Sequence, residues 1–322
     1  LLLVQPLDAY ARNLWFSGCL SRRFMKSADP SRKPAAALAP ATFVPPLPSL
    51  AGCVRAVASR NTLNLDLKED DRHNNFSANL MCRLTWFFSG AWDLKEGAEL
   101  TPMGPVVFSG PQTRPTITVN RGQVDLLSVA FYPDAFQQMT GVFPGDFVDR
   151  NLSVEQVLPK EWAEWALWVH QAGPPGHPVE LLHGFIQARW DANRDPSVTI
   201  GPLFQDWLMH LSNKAAFEER ERGPRQMERL VKRWTGQNLR GLRSLARNEQ
   251  AFSRTNSGIV HRALSWKDVA LQSGYTEQSH FCRDTRKITG FTPEQIRRDI
   301  LKKESFWMYR LWANSFAVAP NT

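Results

Sequence analysis

The sequence predicts an α+β protein, with an N-terminal β-rich sandwich or small barrel of sensor type followed by an all-α domain of two helix-turn-helix modules joined by a linking helix. Three observations carry that prediction. Short runs of Val, Thr and aromatic residues, punctuated by Gly and Pro, fill residues 80–132. The excess positive charge of the 322-residue chain, +8 overall, lies entirely in residues 205–304, and that basic segment repeats itself at an offset of 54 residues. At about twice the length of a typical domain, the chain is expected to form two folded parts.

Taken in order, residues 1–50 read as an arm or linker without fixed structure, because Pro30, Pro34, Pro40, Pro45, Pro46 and Pro48 stand among alanines and serines. Leu1–Val4 is too short for a signal core, and Asp8 and Arg12 keep the next residues from extending it, although Phe16-Ser17-Gly18-Cys19 imitates a lipoprotein cleavage site. No run of about 18 apolar residues occurs, so no membrane partner is expected. Cys19, Cys53, Cys82 and Cys282 lie far apart and form no C-x-x-C pair, which points to a reducing cytoplasm.

Residues 51–200 read as a β-rich effector or dimerisation domain that also holds helices. Met81–Phe88, Val106–Phe108, Thr116–Val119 and Val124–Tyr132 are the expected strands. Pro133-Asp134 opens a helix to about Thr140, and Pro159 starts another that runs to Ala172 before Gly173-Pro174-Pro175-Gly176 stops it. That second helix carries Trp162, Trp165, Trp168 and Val169. Core packing against the sheet is the plain explanation, and a dimer or interdomain face the sharper one.

Residues 205–304 hold 20 Lys and Arg against 12 Asp and Glu, leaving 19 of each sign in the rest of the chain. A basic domain beside a neutral one fits a polyanion partner, since neutralising phosphates releases counterions; charge alone does not separate DNA from RNA or anionic lipid. Within the segment, Arg225–Gly236 lies over Ser279–Gly290, and both copies end in Thr-Gly. Met227, Leu230, Val231 and Trp234 fall on one helical face, and Phe281 and Ile288 hold the same stripe with Thr285 between them. The opposite face carries Arg225, Arg229 and Lys232 in the first copy and Ser279, Arg283 and Arg286 in the second. Such helices suit a major groove about 12 Å wide. Before the second copy, Ser265-Trp266-Lys267-Asp268 resembles a capping box, Gly274 supplies a turn and Thr276 is the expected cap of the reader helix. Thr292 and Pro293 start a closing helix, and Leu239, Leu242, Leu245, Ala246 and Phe252 fit a linking helix. Residues 305–322 form an aromatic C-terminal tail.

Gly274-Tyr275-Thr276-Glu277-Gln278-Ser279-His280-Phe281-Cys282-Arg283, continued by Lys287-Ile288-Thr289-Gly290-Phe291-Thr292-Pro293, resembles the signature of AraC/XylS-type transcription regulators, and Arg225–Gly236 looks like the first reader of the same unit. The resemblance covers about 100 residues. It implies two recognition helices in successive major grooves of double-stranded DNA, with an upstream region that senses a small-molecule effector or dimerises; a homodimer and a contact with RNA polymerase fit the same picture, in the cytoplasm beside the nucleoid. More loosely, Val107-Phe108-Ser109-Gly110-Pro111-Gln112-Thr113-Arg114-Pro115 looks like part of that sensor region. The sequence departs from the pattern at Thr285, where an aromatic or aliphatic residue is usual, and in the charged run Lys214–Arg222 ahead of the first reader.

The site residues are set by position on the two outward faces. Base contacts are expected from Arg225, Glu228 and Arg229 in the first reader and from Gln278, Ser279 and Arg283 in the second. Lys232, Arg286 and Lys287 lie further round and are expected at phosphates. No catalytic residue, cofactor or metal is expected: the fingerprints for nucleotide binding, serine hydrolysis and zinc proteolysis are absent, and His170, His177 and His183 are separated by a Pro/Gly turn. Cys282 reads as a half-buried small hydrophobe and His280 as structural. The competing reading is a small-barrel enzyme tethered to nucleic acid by the basic module; two His and a carboxylate lining a barrel pocket would favour it, and an apolar pocket with few polar groups would favour a sensor.

Overall fold

The β-rich part forms two open antiparallel sheets, so of the two architectures expected it is the sandwich that occurs and not the closed barrel. In the computed structural model, which describes residues 39–173, 179–194, 204–254 and 265–315, the strands are β1 (Ala41–Val44), β2 (Val54–Asn61), β3 (His73–Phe76), β4 (Cys82–Ser89), β5 (Trp92–Glu96), β6 (Glu99–Pro102), β7 (Val106–Ser109), β8 (Thr116–Asn120), β9 (Asp125–Phe131) and β10 (Asn151–Ser153). Six of them make one sheet in the order β1-β2-β9-β4-β7-β10, and four make the other in the order β3-β8-β5-β6. The four expected strands are present, as β4, β7, β8 and β9. Part of the expected arm is ordered instead: Ala41–Val44 pairs with β2 from Ala41 opposite Arg60 to Val44 opposite Val57. Pro45, Pro46 and Pro48 come after the strand, where a missing N–H breaks no ladder. The rest of the arm, 1–38, lies outside the described residues.

Strand alternation divides the large sheet into two unlike faces. Leu84 and Trp86 of β4, Leu127, Val129 and Phe131 of β9, and Val106 and Phe108 of β7 point one way and are buried. They pack under helices α1 (Pro133–Thr140), α2 (Lys160–Ala172), α3 (Val179–Asn193) and α4 (Phe204–Arg222), through Phe136, Trp162, Trp165, Leu182, Ile186 and Trp207. Each such side chain contributes about 1.5–3 kcal/mol on burial. Trp162, Trp165 and Val169 are thus core, as the plain explanation has it, while Trp168 stays 50% exposed. The other face of the same strands carries Arg83, Thr85 and Phe87 on β4, Leu126, Ser128 and Ala130 on β9, and Ala56 and Ala58 on β2, and it faces the second sheet.

After α4 come α5 (Pro224–Thr235), α6 (Leu239–Arg254), α7 (Trp266–Gln272), α8 (Gln278–Thr289), α9 (Pro293–Asp299) and α10 (Trp307–Ser315). The last of these, expected as part of a separate tail, closes one end of the sandwich. Trp307 is buried, meets Phe76 edge to face at 5.9 Å and donates its indole N–H to Asn74 Oδ1 at 2.8 Å. Beneath it, Glu304 receives Arg60 at 2.9 Å and Arg310 at 3.0 Å, with the backbone N–H of Ala39 at 3.3 Å. Burial pulls the Arg60 guanidinium down to about 10 against the opposing charge of Glu304. The described residues from Ala39 to Ser315 lie in one compact unit, in which the described portions of the expected parts 51–200, 205–304 and 305–322 pack together.

Candidate nucleic-acid interface and inter-sheet cavity

Helices α5 and α8 are twelve residues each, and their repeat holds atom by atom in how they end. Met227, Val231, Trp234 and Thr235 are buried in α5; Phe281, Thr285, Ile288 and Thr289, each 54 places on, are buried in α8. Thr235 donates to Val231 O at 2.8 Å, and Thr289 to Thr285 O at 2.7 Å. Each helix then stops at a glycine in the left-handed region, Gly236 at φ 78° and Gly290 at φ 81°, a conformation that other residues adopt only at a cost.

The supporting helices differ. In the second module Ser265 caps α7, its hydroxyl accepting from Asp268 N at 3.2 Å, and Gly274 turns the chain toward α8. The reader starts one residue later than the expected Thr276 cap would set it: Glu277 occupies the cap position, without a side-chain cap bond. In the first module α4 runs into α5 through Gly223 alone, at φ 80°. Its charged run is helical after all, because Trp207, Leu208, Leu211 and Ala215 bury one face while Lys214 lies over the Trp234 ring at 4.6 Å. α9 starts at the expected Thr292 cap, which closes a capping box with Gln295, and α6 links the readers.

All nine side chains expected at DNA, namely Arg225, Glu228, Arg229, Lys232, Gln278, Ser279, Arg283, Arg286 and Lys287, are exposed. Two of them pair with one another: Lys232 holds Glu228 at 3.2 Å and keeps its carboxyl below the usual range. Ser279 donates to Glu277 at 2.9 Å. Thr285 does not leave a gap in the core; it is fully buried and accepts from Asn248 Nδ2 of α6 at 2.9 Å. Cys282 is half-buried and burial pushes its thiol up, away from the reactive range.

A second feature lies between the sheets. A cavity of about 200 Å³ is lined by Ala58, Phe76, Thr118, Leu126, Ser128 and Ala130, and reaches Leu245 and Asn248 of α6, Ile288 of α8 and Trp307 of α10. Sequence reading missed its polar pole. Arg83 lines it, and the protein around the guanidinium pulls it down to about 10 by desolvation. The Arg83 Nε has no hydrogen-bond partner, nor does any carboxylate among the described residues pair with this side chain. Trp92 Nε1 and Asn120 Nδ2, also on cavity-lining residues, are likewise buried without partners. Arg83 stands at the Ser109 end with its guanidinium 5.5 Å from the Phe76 ring, while Trp92 and Asn120 face each other across β5 and β8 at the Phe87 end, so a cation without a carboxylate partner and two idle donors lie at separate places along a mainly apolar space. The signal in the sequence was the alternation in β9, where Leu126, Ser128 and Ala130 share the face opposite Leu127, Val129 and Phe131.

Among the described residues no group of three or more His, Cys, Asp or Glu side chains is placed to hold a metal ion. His170 stacks on Phe88 at 6.3 Å, while His177 lies outside the described residues. No described helix is long and apolar enough to cross a membrane.

Residues 220–299 match the family model of a helix-turn-helix domain, spanning α5 to α9. The match falls on the segment whose sequence resembles AraC/XylS-type regulators. No curated protein matches the chain. Among solved structures, an apo, singly substituted ToxT from Vibrio cholerae strain SCE256 is similar at 12% identity, with 75% of this chain and 96% of that one covered and a TM-score of 0.38. Unsaturated fatty acid-bound wild-type ToxT of the same strain gives 10% identity, 72% and 97% coverage and a TM-score of 0.34. The AraC-like transcriptional activator CuxR gives 10%, 82% and 82%, and 0.25. Superpositions this loose carry no residue's role from one chain to another.

Proposed function

We propose that this chain is a sequence-specific transcription regulator that reads double-stranded DNA with α5 and α8 in successive major grooves and responds to a small-molecule effector held in the inter-sheet cavity. The observation that carries the DNA reading is the paired burial of the two helices, which leaves Arg225, Glu228 and Arg229 on one and Gln278, Ser279 and Arg283 on the other facing solvent. Lys232, Arg286 and Lys287 take the phosphates on this reading. The effector fits as an apolar molecule bearing one carboxylate or comparable anion, the complement of the Arg83 guanidinium. A cytoplasmic location, homodimerisation and a contact with RNA polymerase belong to the same proposal.

Selection of bound sites from random duplexes by the full chain tests it. The expected product is a motif of two half-sites about one helical turn apart. Binding that is salt-sensitive but enriches no motif would leave only a basic surface that binds polyanions.

A further inference from the structure

The sandwich touches both readers at the same place on each, their C-terminal ends, and one short loop stands between the two contacts. Pro111, at the start of that loop, faces Gly236, where an added Cβ would sit 3.1 Å from the proline and 2.7 Å from Val148. Pro115, at its end, faces Gly290, where an added Cβ would make ordinary contact at 3.5 Å. The end of α5 is further held by Phe143, whose ring lies 3.7 Å from the Arg233 guanidinium, and by Gly145, which abuts the carbonyls of Lys232 and Arg233 so closely that no side chain fits. The end of α8 is held by Ala78, which donates its N–H to Ile288 O at 2.7 Å.

The loop itself is pinned from below. Asp149 accepts from the Thr113 N–H at 2.6 Å and from the Thr113 hydroxyl at 2.5 Å, and its own N–H donates to Pro111 O at 2.8 Å. Asp149 sits at φ 57°, the one residue other than glycine with positive φ among those described. That conformation is costly for a residue with a side chain and persists only where surrounding bonds over-determine it. Gln112 is buried and exchanges two backbone bonds with Asn79, at 2.7 and 2.9 Å. A half-buried loop with two prolines, a clamped threonine and a strained clamp is a rigid part, and it stands between the C-terminal ends of α5 and α8.

We propose that the Gly110–Pro115 loop is a spacer that sets the separation of the two readers, so that Asp149, which faces no DNA, is a positioning residue for the choice of half-site spacing. The proposal rests on the reading of α5 and α8 as the DNA readers. It also gives a second role to the segment Val107–Pro115, which the sequence marks out as resembling part of a sensor region. Linking helix α6 alone joins the readers at one level; the loop holds them at a second, and two points of support fix an angle that one leaves free.

The test uses the full chain and the duplex selected by it, remade with single base pairs added or removed between the half-sites. The wild type is expected to lose about tenfold in affinity for each such change, because the half-sites turn away from fixed readers. Asp149→Ala is expected to weaken the best spacing about three- to tenfold and to bring the altered spacings within about twofold of it, with base preference inside each half-site unchanged. Asp149→Asn, which keeps one acceptor and tolerates the left-handed backbone, should recover most of the wild-type profile. Pro115→Gly removes both side-chain atoms that face Gly290 and should flatten the profile without removing the Asp149–Thr113 bonds, which covers the case in which Asp149→Ala unfolds. A folded Asp149→Ala or Pro115→Gly protein with the wild-type spacing profile overturns the spacer and leaves the DNA reading intact. A wild type that selects no motif overturns both.

Discussion

Asn248 on α6 donates its side-chain amide to the hydroxyl of Thr285 on α8 at 2.9 Å, and solvent reaches neither side chain. This bond ties the linking helix to the second reader at the position where the family pattern has an apolar residue. Thr285→Val should therefore cost about 1–3 kcal/mol in urea unfolding, since it strands a buried donor. Pairing it with Asn248→Leu should recover part of that loss, and strictly additive losses would show that the two residues are not coupled.

Arg229→Ala and Arg283→Ala should each cost about 1–3 kcal/mol on the preferred site and relax selection at one base pair. Lys232 already has a partner in Glu228, whereas Arg286 has none among the described residues, so Arg286→Ala should reduce the salt slope more than Lys232→Ala. Binding isotherms at several salt concentrations separate the two kinds of residue. An Arg229→Ala protein with unchanged affinity and unchanged selection would make α5 a structural copy only.

Arg83→Met should lower affinity for apolar carboxylic acids at least about tenfold while leaving or raising the melting temperature, because it removes a half-buried charge that no described carboxylate pairs with. A screen by calorimetry or thermal shift provides the ligands. Equal affinity of wild type and variant for every hit would detach Arg83 from effector binding.

Asp299 supplies a pH signature. The Arg298 side-chain bond, helped by Lys303 and opposed by burial, holds its carboxyl down at about 2. A depressed carboxyl pKa contributes stability above the ordinary value near 4 and loses it as pH falls toward 2. Both partners are more than half exposed, so the contribution is discounted to about 1 kcal/mol. The stability gap between wild type and Asp299→Asn should be constant above about pH 5 and close between about pH 4 and 2. A gap that does not narrow in that window would remove the ion pair as its cause.

Glu304→Ala should cost about 3–5 kcal/mol, because it leaves Arg60 buried without its carboxylate. Trp307 fluorescence and limited proteolysis of the C-terminal helix should register the change together. Unfolding in which α10 stays protected would mean that its apolar contacts suffice without the network.

The readers were legible because a helix of period 3.6 with Thr-Gly at its end writes both its buried face and its stop into consecutive residues, and writing it twice, 54 residues apart, excludes coincidence. Four strands were legible for the same local reason. β1, β2 and β3 were not: Ala41–Val44 comes after a proline-rich run, and His73–Phe76 reads as polar, so their pairing is decided by partners far along the chain. Arg83 was not legible because nothing beside it in sequence says that its counter-charge is missing. Nor were Pro111, Pro115 and Gly145, whose importance lies in what they touch far along the chain.

The wall that α10 adds to the cavity has a consequence in time. α10 comes after every other described element in chain order, and Trp307 reaches back to Asn74 across 233 positions. During synthesis the strands, the linking helix and both readers emerge before this wall exists. The protein is thus able to acquire the surfaces proposed to face nucleic acid first and the last wall of its inter-sheet cavity afterwards. Nascent chains interrupted before Trp307 would carry α5 and α8 with this cavity still open at one end.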